Sequence, residues 1–504
     1  MSGRKHDPPR EAGPAQGTPP VLRRFEQLPG PRGLPFFGNA LQIDAPRFHQ
    51  QLEAWCREFG PLYKLRIGKR KILAVGDHQL VAAVLRDRPV ALRRTARLEE
   101  IWLELGFPPG VFVSNGEAWQ RQRRMVMASF DPTRVKAYFP AMQQVAERLI
   151  GRWQRAALAQ TDIDLQADLM RYTVDTIAGL AFGAEVNTLE SDGHIIQQHL
   201  DKIFPALSRR ILAPVALRRI LAPVALWRIV RSPADRKLQR SIVEVTHAVA
   251  GFVEQARTRL EAAPWLRERP ENLLEAMIVA ADLPGSGIDD AQVAGNVLTM
   301  LLAGEDTTAN TLAWLVQLLW LNPVALARAQ DEVRRVVADP ARPTFDEIAR
   351  LDYLEACAHE TMRLKPVAPL IPLEAVQAMT IGNIEVPAGT IVVSIMRVNS
   401  VSDAHLPRAA GFEPERWRSE TSTPALSGNA VKRLSMPFGA GPRICPGRYL
   451  AVLEIKMAMA VLLGNFDIEQ VSTPDGGPAK EHLAFTMQPM GLRMKLRWAQ
   501  RAQA

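Results

Sequence analysis

The sequence predicts a mainly α-helical protein with small β-sheets, folded as one large domain. Between residues 119 and 322 the apolar residues recur at spacings of three and four, the period expected of helices. Period-two alternation is confined to short stretches within residues 62–75, 380–395 and 482–498. No linker separates two similar halves, so a single domain over residues 28–504 is the simplest arrangement.

The first 27 residues differ in composition from the rest of the chain. They are rich in Pro, Gly and Arg, and five prolines between Pro8 and Pro20 interrupt any helix. They contain neither the apolar segment of a signal peptide nor the roughly 18 apolar residues of a membrane span. We therefore expect residues 1–27 to form a disordered, basic tail on a soluble, cytoplasmic protein.

Composition and cysteine spacing exclude several classes of protein. Hydrophobic residues make up 47% and charged residues 23%, which is typical of a globular protein. The 62 Lys and Arg exceed the 53 Asp and Glu by nine, and no nucleic-acid-binding motif accounts for this charge. The three cysteines, Cys56, Cys357 and Cys445, are far apart, which excludes a disulfide framework and a structural zinc site.

The short strand patterns have clear boundaries. Alternation over residues 62–67 and an apolar run over residues 72–75 flank Gly68, which predicts an early hairpin. Two further strands are predicted at residues 380–386 and 390–395, separated by Pro387, Ala388 and Gly389. The segment from residue 482 to residue 498 is also predicted to be extended.

The longest helical pattern begins at Asp289 or Asp290 and ends at Asn322, because Pro323 cannot continue it. At 1.5 Å per residue such a helix is about 50 Å long. Glu305 and Asp306 lie near its middle, after an apolar run. A buried carboxylate is unfavourable without a partner, so two acids there point to a functional site and not to an ordinary core or membrane helix.

The segment over residues 438–447 is a Gly-rich loop with one arginine and one cysteine, FGAGPRICPG. A helix is predicted to begin directly after Cys445, with Pro446 at its first position. The positive end of that helix is expected to favour the Cys445 thiolate. A buried structural cysteine is the alternative when this residue is considered alone.

The pattern FxxGxRxCxG in this loop resembles the haem-binding loop of the cytochrome P-450 superfamily. Further motifs occur in the order expected of that family. Glu360 and Arg363 match ExxR, Arg416 lies in a segment similar to the PER region, and Trp119 and Arg123 match WxxxR. The resemblance implies the cytochrome P-450 fold, with haem b between the long distal helix and the Cys-containing proximal loop.

The resemblance also implies roles for individual residues. Cys445 would be the proximal thiolate ligand of the haem iron, and Asp306 and Thr307 the catalytic pair that delivers protons during oxygen activation. Glu360, Arg363 and Arg416 would form a structural network that supports the haem loop. The remaining cofactor-binding residues implied are Trp119, Arg123, Ala303, Gly304, Phe438, Arg443 and Gly447, with Arg123 and Arg443 on the propionates.

Two positions depart from the family pattern. Relatives often have a propionate-binding arginine after the Pro369 region, but this chain has Leu373, Glu374 and Ala375 there. Either the alignment is displaced by a few residues here, or propionate binding relies more on Arg123 and Arg443. Gln122 occupies a position where histidine is frequent, and glutamine can still donate a hydrogen bond there.

A nine-residue segment, RRILAPVAL, occurs twice without change over residues 209–226. Two copies cannot stack into a solenoid, so this tandem duplication is a local insertion. By resemblance it falls in the connection between the two lid helices above the substrate entrance. An extended surface loop is favoured, and a contact with a membrane surface is the alternative.

These features predict a haem-thiolate monooxygenase that hydroxylates or epoxidises a hydrophobic small molecule with dioxygen. The sequence shows no P-loop, no GxGxxG and no iron–sulfur cysteine cluster. We therefore expect a bacterial-type enzyme without a fused reductase, served by an acidic ferredoxin or flavodoxin and an NAD(P)H-dependent reductase. The predicted docking patch comprises Arg121, Arg124, Lys432, Arg433, Arg448 and Lys456.

Two other functions remain open at this stage. One is a peroxide-driven peroxygenase or an isomerase of the same fold, although such enzymes usually lack the acid–alcohol pair. The other is a haem-binding sensor without catalysis. Pocket walls are expected from residues 98–112, Met300, residues 367–372 and residues 487–490, all mainly apolar. They suit fatty acids, terpenoids, steroids and polyketides equally.

Overall fold

The computed structural model describes residues 22–183, 186–191, 203, 233–418 and 428–499. The predicted tail up to residue 21 and the tandem duplication at residues 209–226 lie outside these residues. The predicted fold class is confirmed: helices dominate the described chain, and the strands form small sheets.

Fifteen helices and thirteen strands follow one another in the described ranges. The first part contains β1 (Arg23–Arg24), α1 (Phe48–Phe59), β2 (Leu62–Ile67), β3 (Arg70–Val75), α2 (His78–Arg86), β4 (Leu92–Arg94), α3 (Ala96–Glu104), α4 (Gly116–Ser129), α5 (Pro132–Ala137), α6 (Phe139–Ala159), β5 (Ile163–Asp164) and α7 (Leu165–Phe182). The second part contains α8 (Pro233–Ala262), α9 (Leu273–Ala281), α10 (Asp290–Leu321), α11 (Pro323–Val336), α12 (Phe345–Ala349) and α13 (Asp352–Leu364). The last part contains β6 (Leu370–Ala375), β7 (Met379–Ile381), β8 (Ile384–Val386), β9 (Ile391–Ile395), α14 (Gly428–Ser435), α15 (Arg448–Asn465), β10 (Phe466–Ser472), β11 (Glu481–Leu483), β12 (Met487–Pro489) and β13 (Arg493–Trp498).

Helix α10 is the long distal helix that the sequence predicts. A capping box begins it: the Asp289 carboxylate accepts from the Gln292 amide at 2.8 Å, and the Gln292 side chain accepts from the Asp289 amide at 3.1 Å. The helix ends before Pro323, which starts α11. Most of α10 is buried, since it runs through the main hydrophobic core.

The largest sheet has five strands in the order β2-β3-β9-β6-β4. The predicted hairpin forms its edge, with Gly68 in the left-handed region at φ 58°. Strand β9 pairs in parallel with β3, and β4 pairs antiparallel with β6 so that Arg94 lies opposite Leu373. The sequence patterns did not indicate β4 or β6.

Strand β1 changes the predicted boundary of the N-terminal tail. Arg23 and Arg24 pair in parallel with Ile384 and Glu385 of β8. Phe25 follows with only 3% of its surface exposed, within the hydrophobic cluster beneath this sheet. The ordered chain therefore begins before residue 28, because burial of Phe25 and Leu28 fixes this segment on the domain.

Helix α7 packs closely along α10 at the predicted oxygen-activation segment. A side chain at Gly304 would bring its Cβ to 2.7 Å from the Ile177 side chain, so glycine is required for this approach. The Thr173 hydroxyl donates to the Glu305 carbonyl at 3.1 Å. Close packing on this side fixes how α10 presents its other face.

Length and hydropathy together determine whether a helix can cross a membrane. No single helix within the described ranges is long and apolar enough to cross a membrane. Helices α10 and α11 meet this criterion only as a pair, and they meet at a bend of 114°.

A buried cluster of charges holds the hairpin of β11 and β12 onto the domain. The Glu481 carboxylate accepts from Arg397 at 2.7 Å, from His49 at 2.9 Å and from Lys365 at 2.6 Å. Arg397 is also bidentate with Glu53, at 2.9 Å for both bonds. These bonds join α1 and the segments after α13 and β9 to one side of the hairpin.

Replacement of Glu481 is expected to lower the stability of the protein by an amount that depends on pH. Burial alone raises the pKa of Glu481, but the bonds from His49 and Arg397 and the charges of Arg397 and Lys365 outweigh it and lower the pKa well below its ordinary value. The stabilisation is therefore present above the unfolded-state pKa, about 4.3, and is lost as pH falls toward the folded-state pKa. We expect the free energy of unfolding of Glu481→Gln to be about 3 kcal/mol lower than that of the wild type at pH 7.

Urea unfolding of the wild type and of Glu481→Gln at pH 7 and pH 3.5 tests this expectation. The difference between the two proteins should shrink at the lower pH, as the wild type begins to lose the same interaction. Glu469→Gln is the control, because Glu469 is an acid on β10 that lies 3.6 Å from Arg497 at the surface. A difference that is independent of pH would contradict the assigned role.

Candidate active site

The cysteine loop lies between α14 and α15. Cys445 is half-buried, and its amide donates to the Phe438 carbonyl at 3.0 Å. The backbone N–H of Gly447 donates to the Cys445 sulfur. Gly439 and Gly441 have φ values of 74° and 71°, and a side chain at Gly441 would collide with the Leu85 carbonyl oxygen at 2.6 Å. The glycines thus shape the loop so that the sulfur is presented with an N–H donor.

Burial and the backbone N–H group beside the cysteine act on the Cys445 thiol in opposite directions. Burial raises the pKa of the Cys445 thiol, although the Gly447 N–H and the charges of Arg123 and Arg448 act in the opposite direction. Helix α15 begins only at Arg448, with Gly447 as its N-cap, so Pro446 precedes the helix instead of starting it. A coordinated cation reverses this balance, because a metal-bound thiol is deprotonated.

Two predicted residues of α10, Ala303 and Thr307, share one partly uncovered face of an otherwise buried helix. Ala303 is exposed and Thr307 is half-exposed, whereas Glu305, Asp306 and the residues that follow Thr307 are buried. Gly304 is also half-exposed, but a side chain there would meet Ile177 of α7. Open space therefore lies against this face. The Thr307 hydroxyl donates to the Ala303 carbonyl at 2.6 Å, which holds it on the same face.

Asp306 and Thr307 do not contact each other through their side chains. The Asp306 carboxylate accepts from Asn310 at 2.8 Å and from the Thr486 hydroxyl, which belongs to the loop between β11 and β12. Burial raises the pKa of Asp306, although both donors lower it. Asn310 in turn accepts from Gln166 at 2.7 Å. Since Gln166 is half-buried, this chain of polar groups extends from Asp306 toward solvent.

Four arginines gather beside the cysteine loop: Arg88, Arg94, Arg123 and Arg443. Any hydrogen bonds that their guanidinium groups donate go to carbonyl or amide oxygens. Among the described residues, none of the four forms an ion pair with a carboxylate. Arg443 donates to the Ser114 carbonyl at 2.6 Å, and Arg123 to the Ile444 carbonyl at 2.6 Å. Burial and the other three cations lower the pKa of Arg443 to about 9. The cluster is therefore a half-buried site for an anion.

Arg94 supplies the cation that is missing near Leu373. Because residues directly opposite in an antiparallel pair point to the same face, Arg94 of β4 lies on the face where a side chain at position 373 of β6 lies. Burial lowers the pKa of Arg94 to about 10, and its buried Nε has no hydrogen-bond partner. Its guanidinium lies over the Phe112 ring at 4.3 Å. The sequence carries no local signal for this role, since it depends on strand pairing.

Arg88 was likewise missed by the sequence patterns. It follows α2, is only 3% exposed, and donates to the carbonyls of Leu85 and Ala440 at 3.2 and 3.3 Å. Burial and the charge of Arg94 lower the pKa of Arg88 to about 9.

Gln122 does not donate to the anion site. Its side chain is buried, and its hydrogen bonds go to other groups. The amide nitrogen donates to the Pro109 carbonyl and to the Ser114 hydroxyl, both at 3.2 Å, and the amide oxygen accepts from Asn296 at 3.0 Å. Trp119, one turn earlier on α4, is buried with the Arg443 guanidinium 4.5 Å from its ring.

One residue of the predicted docking patch does not lie on the surface. Lys456 is buried, and its ammonium donates to Glu355 at 2.9 Å and to the Ala349 carbonyl at 3.2 Å, because this turn of α15 faces α12 and α13. Arg124, Lys432 and Arg433 are exposed. Arg121 and Arg448 are half-exposed, and Arg448 donates to the Cys445 carbonyl at 3.2 Å.

The structure brings Glu360, Arg363 and Arg416 together. The buried Glu360 carboxylate is bidentate with Arg363 at 2.7 and 2.8 Å and lies 3.4 Å from the Arg416 Nε. It also accepts from the Trp417 indole at 2.8 Å. Arg363 donates to the carbonyls of Ala409 and Gly411, so α13 is fastened to the segment that precedes α14.

Glu454 is a buried acid that the sequence patterns did not indicate. It lies on α15, accepts from the Thr308 hydroxyl of α10, and its Oε1 has no hydrogen-bond partner. Burial raises the pKa of Glu454 to about 8. Thr308 thus links the distal helix to the helix that follows Cys445.

Comparison with known proteins identifies the family. The sequence profile described as Cytochrome P-450 matches residues 28–496. The chain belongs to the cytochrome P-450 family. The cysteine loop and the uncovered face of α10 are therefore the two sides of the haem site of a cytochrome P-450.

The curated relatives span several kinds of cytochrome P-450. The self-sufficient cytochrome P-450 monooxygenase CYP505E3 of Aspergillus terreus is 28% identical over 94% of this chain but only 43% of its own length. The chain thus spans less than half the length of these fungal relatives. The carotene epsilon-monooxygenase of Arabidopsis thaliana is 28% identical over 83% of this chain and 77% of its own length.

Among solved structures, the haem domain of cytochrome P-450DA superposes with a TM-score of 0.78. It covers 95% of this chain and 99% of its own, at 24% identity. This likeness concerns the fold.

The residues present fit haem b, the cofactor of the family. The Cys445 sulfur offers the single thiolate that the iron requires, and the uncovered face of α10 carries no bulky side chain. The arginine cluster has positive charge and a free Nε on Arg94 and on Arg443 for two propionates. Arg94, Arg123 and Arg443 would hold the propionates, and the Gly447 N–H would tune the sulfur.

Replacement of Arg94 is expected to weaken the retention of haem. Arg94→Leu removes a cation without a carboxylate partner, whereas the control Arg93→Leu removes one that pairs with Glu374 at 3.2 Å. Transfer of haem from Arg94→Leu to an excess of apomyoglobin should be about tenfold faster than from the wild type, since charged hydrogen bonds are lost. Equal rates in the two variants would contradict the assignment.

Glu454 should make stability decline with rising pH. The folded protein holds the Glu454 proton up to a pKa of about 8, whereas the unfolded chain releases it near 4.5. The associated stability is complete below the lower value and is lost as pH rises through the upper one. The free energy of unfolding of Glu454→Gln should therefore rise, relative to that of the wild type, by on the order of a few kcal/mol between pH 5 and pH 9.

Thermal unfolding of both proteins across that range provides the measurement. Glu347→Gln is the control, because Glu347 is a half-exposed acid of α12 whose pKa is lowered, so its replacement should not raise stability with pH. Parallel curves for the wild type and Glu454→Gln would show that Glu454 is ionised in the folded protein.

Proposed function

We propose that this cytochrome P-450 is a haem-thiolate monooxygenase that inserts one oxygen atom of dioxygen into a hydrophobic small molecule. One observation carries the proposal: an accessible thiol lies in a glycine-shaped loop, and a distal helix carries a small-residue face beside a hydroxyl and a buried acid. When bound, haem supplies the iron at which dioxygen is reduced, and a thiolate ligand favours cleavage of the O–O bond.

Residues of α10 would provide the space and the protons for this chemistry. Ala303, with its small side chain, would leave room for a diatomic molecule on the uncovered face. Thr307 would hold a proton there, because its hydroxyl is fixed by the bond to the Ala303 carbonyl. Asp306 would replace that proton through water, since the two side chains do not touch directly.

Asp306 is suited to this role by its surroundings. Its raised pKa makes it a better proton donor near neutral pH than an exposed aspartate. The chain of Asn310 and Gln166 gives it a polar route toward solvent. Thr486 would keep the carboxylate oriented from the opposite side.

Electrons would enter from the face around Cys445. Arg448 donates to the Cys445 carbonyl, and Arg124 lies exposed next to Arg123, so this face is positively charged. An acidic ferredoxin or flavodoxin with an NAD(P)H-dependent reductase would complement it. The bifunctional cytochrome P-450/NADPH–P-450 reductase of Aspergillus oryzae, a relative 27% identical to this chain, carries its reductase on the same chain by its name, so a reductase of that kind is the alternative electron donor.

The substrate would be apolar because aromatic side chains close one end of the space. Phe112 lies before α4 and meets Phe485, in the loop between β11 and β12, at a ring distance of 5.9 Å. A spectral binding screen of fatty acids, terpenoids, steroids and polyketides would identify the class.

Thr307→Ala is expected to uncouple oxygen consumption from product formation. With NAD(P)H, a surrogate ferredoxin and its reductase, the variant should still consume oxygen, but product per NAD(P)H should fall by about tenfold or more. Hydrogen peroxide should account for the missing electrons. Thr307→Ser keeps the hydroxyl and should remain coupled.

Three results would contradict the proposal. Unchanged coupling in Thr307→Ala would remove the role given to its hydroxyl. Turnover with hydrogen peroxide alone, and none with NAD(P)H and redox proteins, would favour the peroxygenase alternative. A reduced, carbon-monoxide-treated protein without the red-shifted Soret band of thiolate ligation would exclude Cys445 as the ligand.

A further inference from the structure

We propose that Gln122 and Asn296 form a latch that fixes one wall of the substrate pocket and so limits the size of ligands that bind. The wall is the segment over residues 105–115, here called the pocket loop. The inference rests on the proposed function only in placing the substrate beside this loop, and the latch itself can be tested without turnover.

The latch is a buried network of two side-chain amides. Asn296 accepts from the Val111 amide at 2.9 Å and donates to the Gln122 oxygen at 3.0 Å and to the Gln292 carbonyl at 2.7 Å. Gln122 donates to the Pro109 carbonyl and the Ser114 hydroxyl, both at 3.2 Å. All four amide hydrogens and both amide oxygens are therefore used.

Direct backbone packing reinforces this network. A Cβ at Gly110 would lie 2.4 Å from the Gly295 carbonyl oxygen and 2.0 Å from the Thr299 hydroxyl. A Cβ at Gly295 would lie 3.0 Å from the Pro108 carbonyl oxygen. The pocket loop thus rests on the backbone of α10 at residues 295–299, one turn before the uncovered Ala303.

The latched loop carries groups that face the proposed haem and substrate sites. Phe112 follows Val111 directly and lies between Phe485 and the Arg94 guanidinium. At the end of the loop the Ser114 carbonyl accepts from Arg443. Any movement of the loop would therefore displace an aromatic wall residue and a partner of the cysteine loop together.

The two buried amides are best explained by their effect on where the pocket loop lies, and not by their effect on the stability of the protein. A fully bonded buried amide pair contributes little more than apolar residues of the same shape, because its desolvation offsets its hydrogen bonds. Its bonds are directional, however, so they select one placement of the loop on the helix. That placement sets the distance between Phe112 and Phe485, and with it the width of the pocket.

The first test measures whether the network holds the loop. Hydrogen exchange is followed in haem-loaded, ligand-free protein for Asn296→Leu, Gln122→Met and the wild type. In both variants the Val111 amide hydrogen should exchange about tenfold faster than in the wild type. The reason is that opening of the pocket loop no longer requires the hydrogen bonds of the complete network to break. The double variant should match the single variants, since each removes the same unit.

Asn322→Leu is the matched control, at the residue that caps the C-terminal end of α10. Asn322 donates to the Leu318 carbonyl four residues earlier at 2.7 Å, as Asn296 does to Gln292, but it has no bond to the pocket loop. It should leave exchange of the loop unchanged. Gln122→Met preserves volume and helix propensity, so it keeps the test informative if Asn296→Leu does not fold.

The second test measures selectivity by size with two iron-binding azoles. Imidazole is small, and clotrimazole carries a triphenylmethyl group, and both are titrated by the shift of the Soret band. In the latch variants clotrimazole should bind about tenfold more tightly relative to imidazole than in the wild type, as a loosened wall admits bulk. The Asn322→Leu ratio should equal that of the wild type.

Unchanged exchange of the pocket loop in both variants would overturn the proposal. Faster exchange with an unchanged ratio of azole affinities would also overturn it, because the network would then serve packing alone. Neither readout requires electron transfer or product, so failure of the monooxygenase assignment is distinguishable from failure of the latch.

Discussion

The site beside the cysteine loop is constrained above all by four arginines whose positive charge no carboxylate of the described chain neutralises. Arg88, Arg94, Arg123 and Arg443 come from four separate segments, and among the described residues no carboxylate pairs with them. Burial lowers the pKa of Arg94, and burial together with neighbouring cations lowers the pKa values of Arg88 and Arg443. A dianionic cofactor would offset this cost, so its binding would stabilise the folded protein around the cysteine loop.

The sequence indicates best those features that are local in the chain. The loop around Cys445, the capping box that begins α10 and the hairpin at Gly68 all depend on neighbours within a few residues, and the structure contains each of them. The motif of Glu360 and Arg363 is equally local, and helix geometry alone brings the two side chains together.

Features that depend on pairing between distant segments escape such patterns. Arg94 acts at position 373 only because β4 pairs with β6, and Gln122 turns to Asn296 because α4 crosses α10. Lys456 is indistinguishable in sequence from a surface lysine, yet the phase of α15 buries it beside Glu355. In each case the residue type was visible, but its partner lay more than ninety positions away.

Strand β1 has a practical meaning for handling the protein. A chain trimmed to residue 28, where the family match begins, would lack Arg23 and Arg24 and leave β8 with an unpaired edge. The space that Phe25 fills would be open as well. Exposed edges of this kind recruit strands from other molecules, so self-association of the trimmed protein would reflect a lost strand and not an unstable haem site.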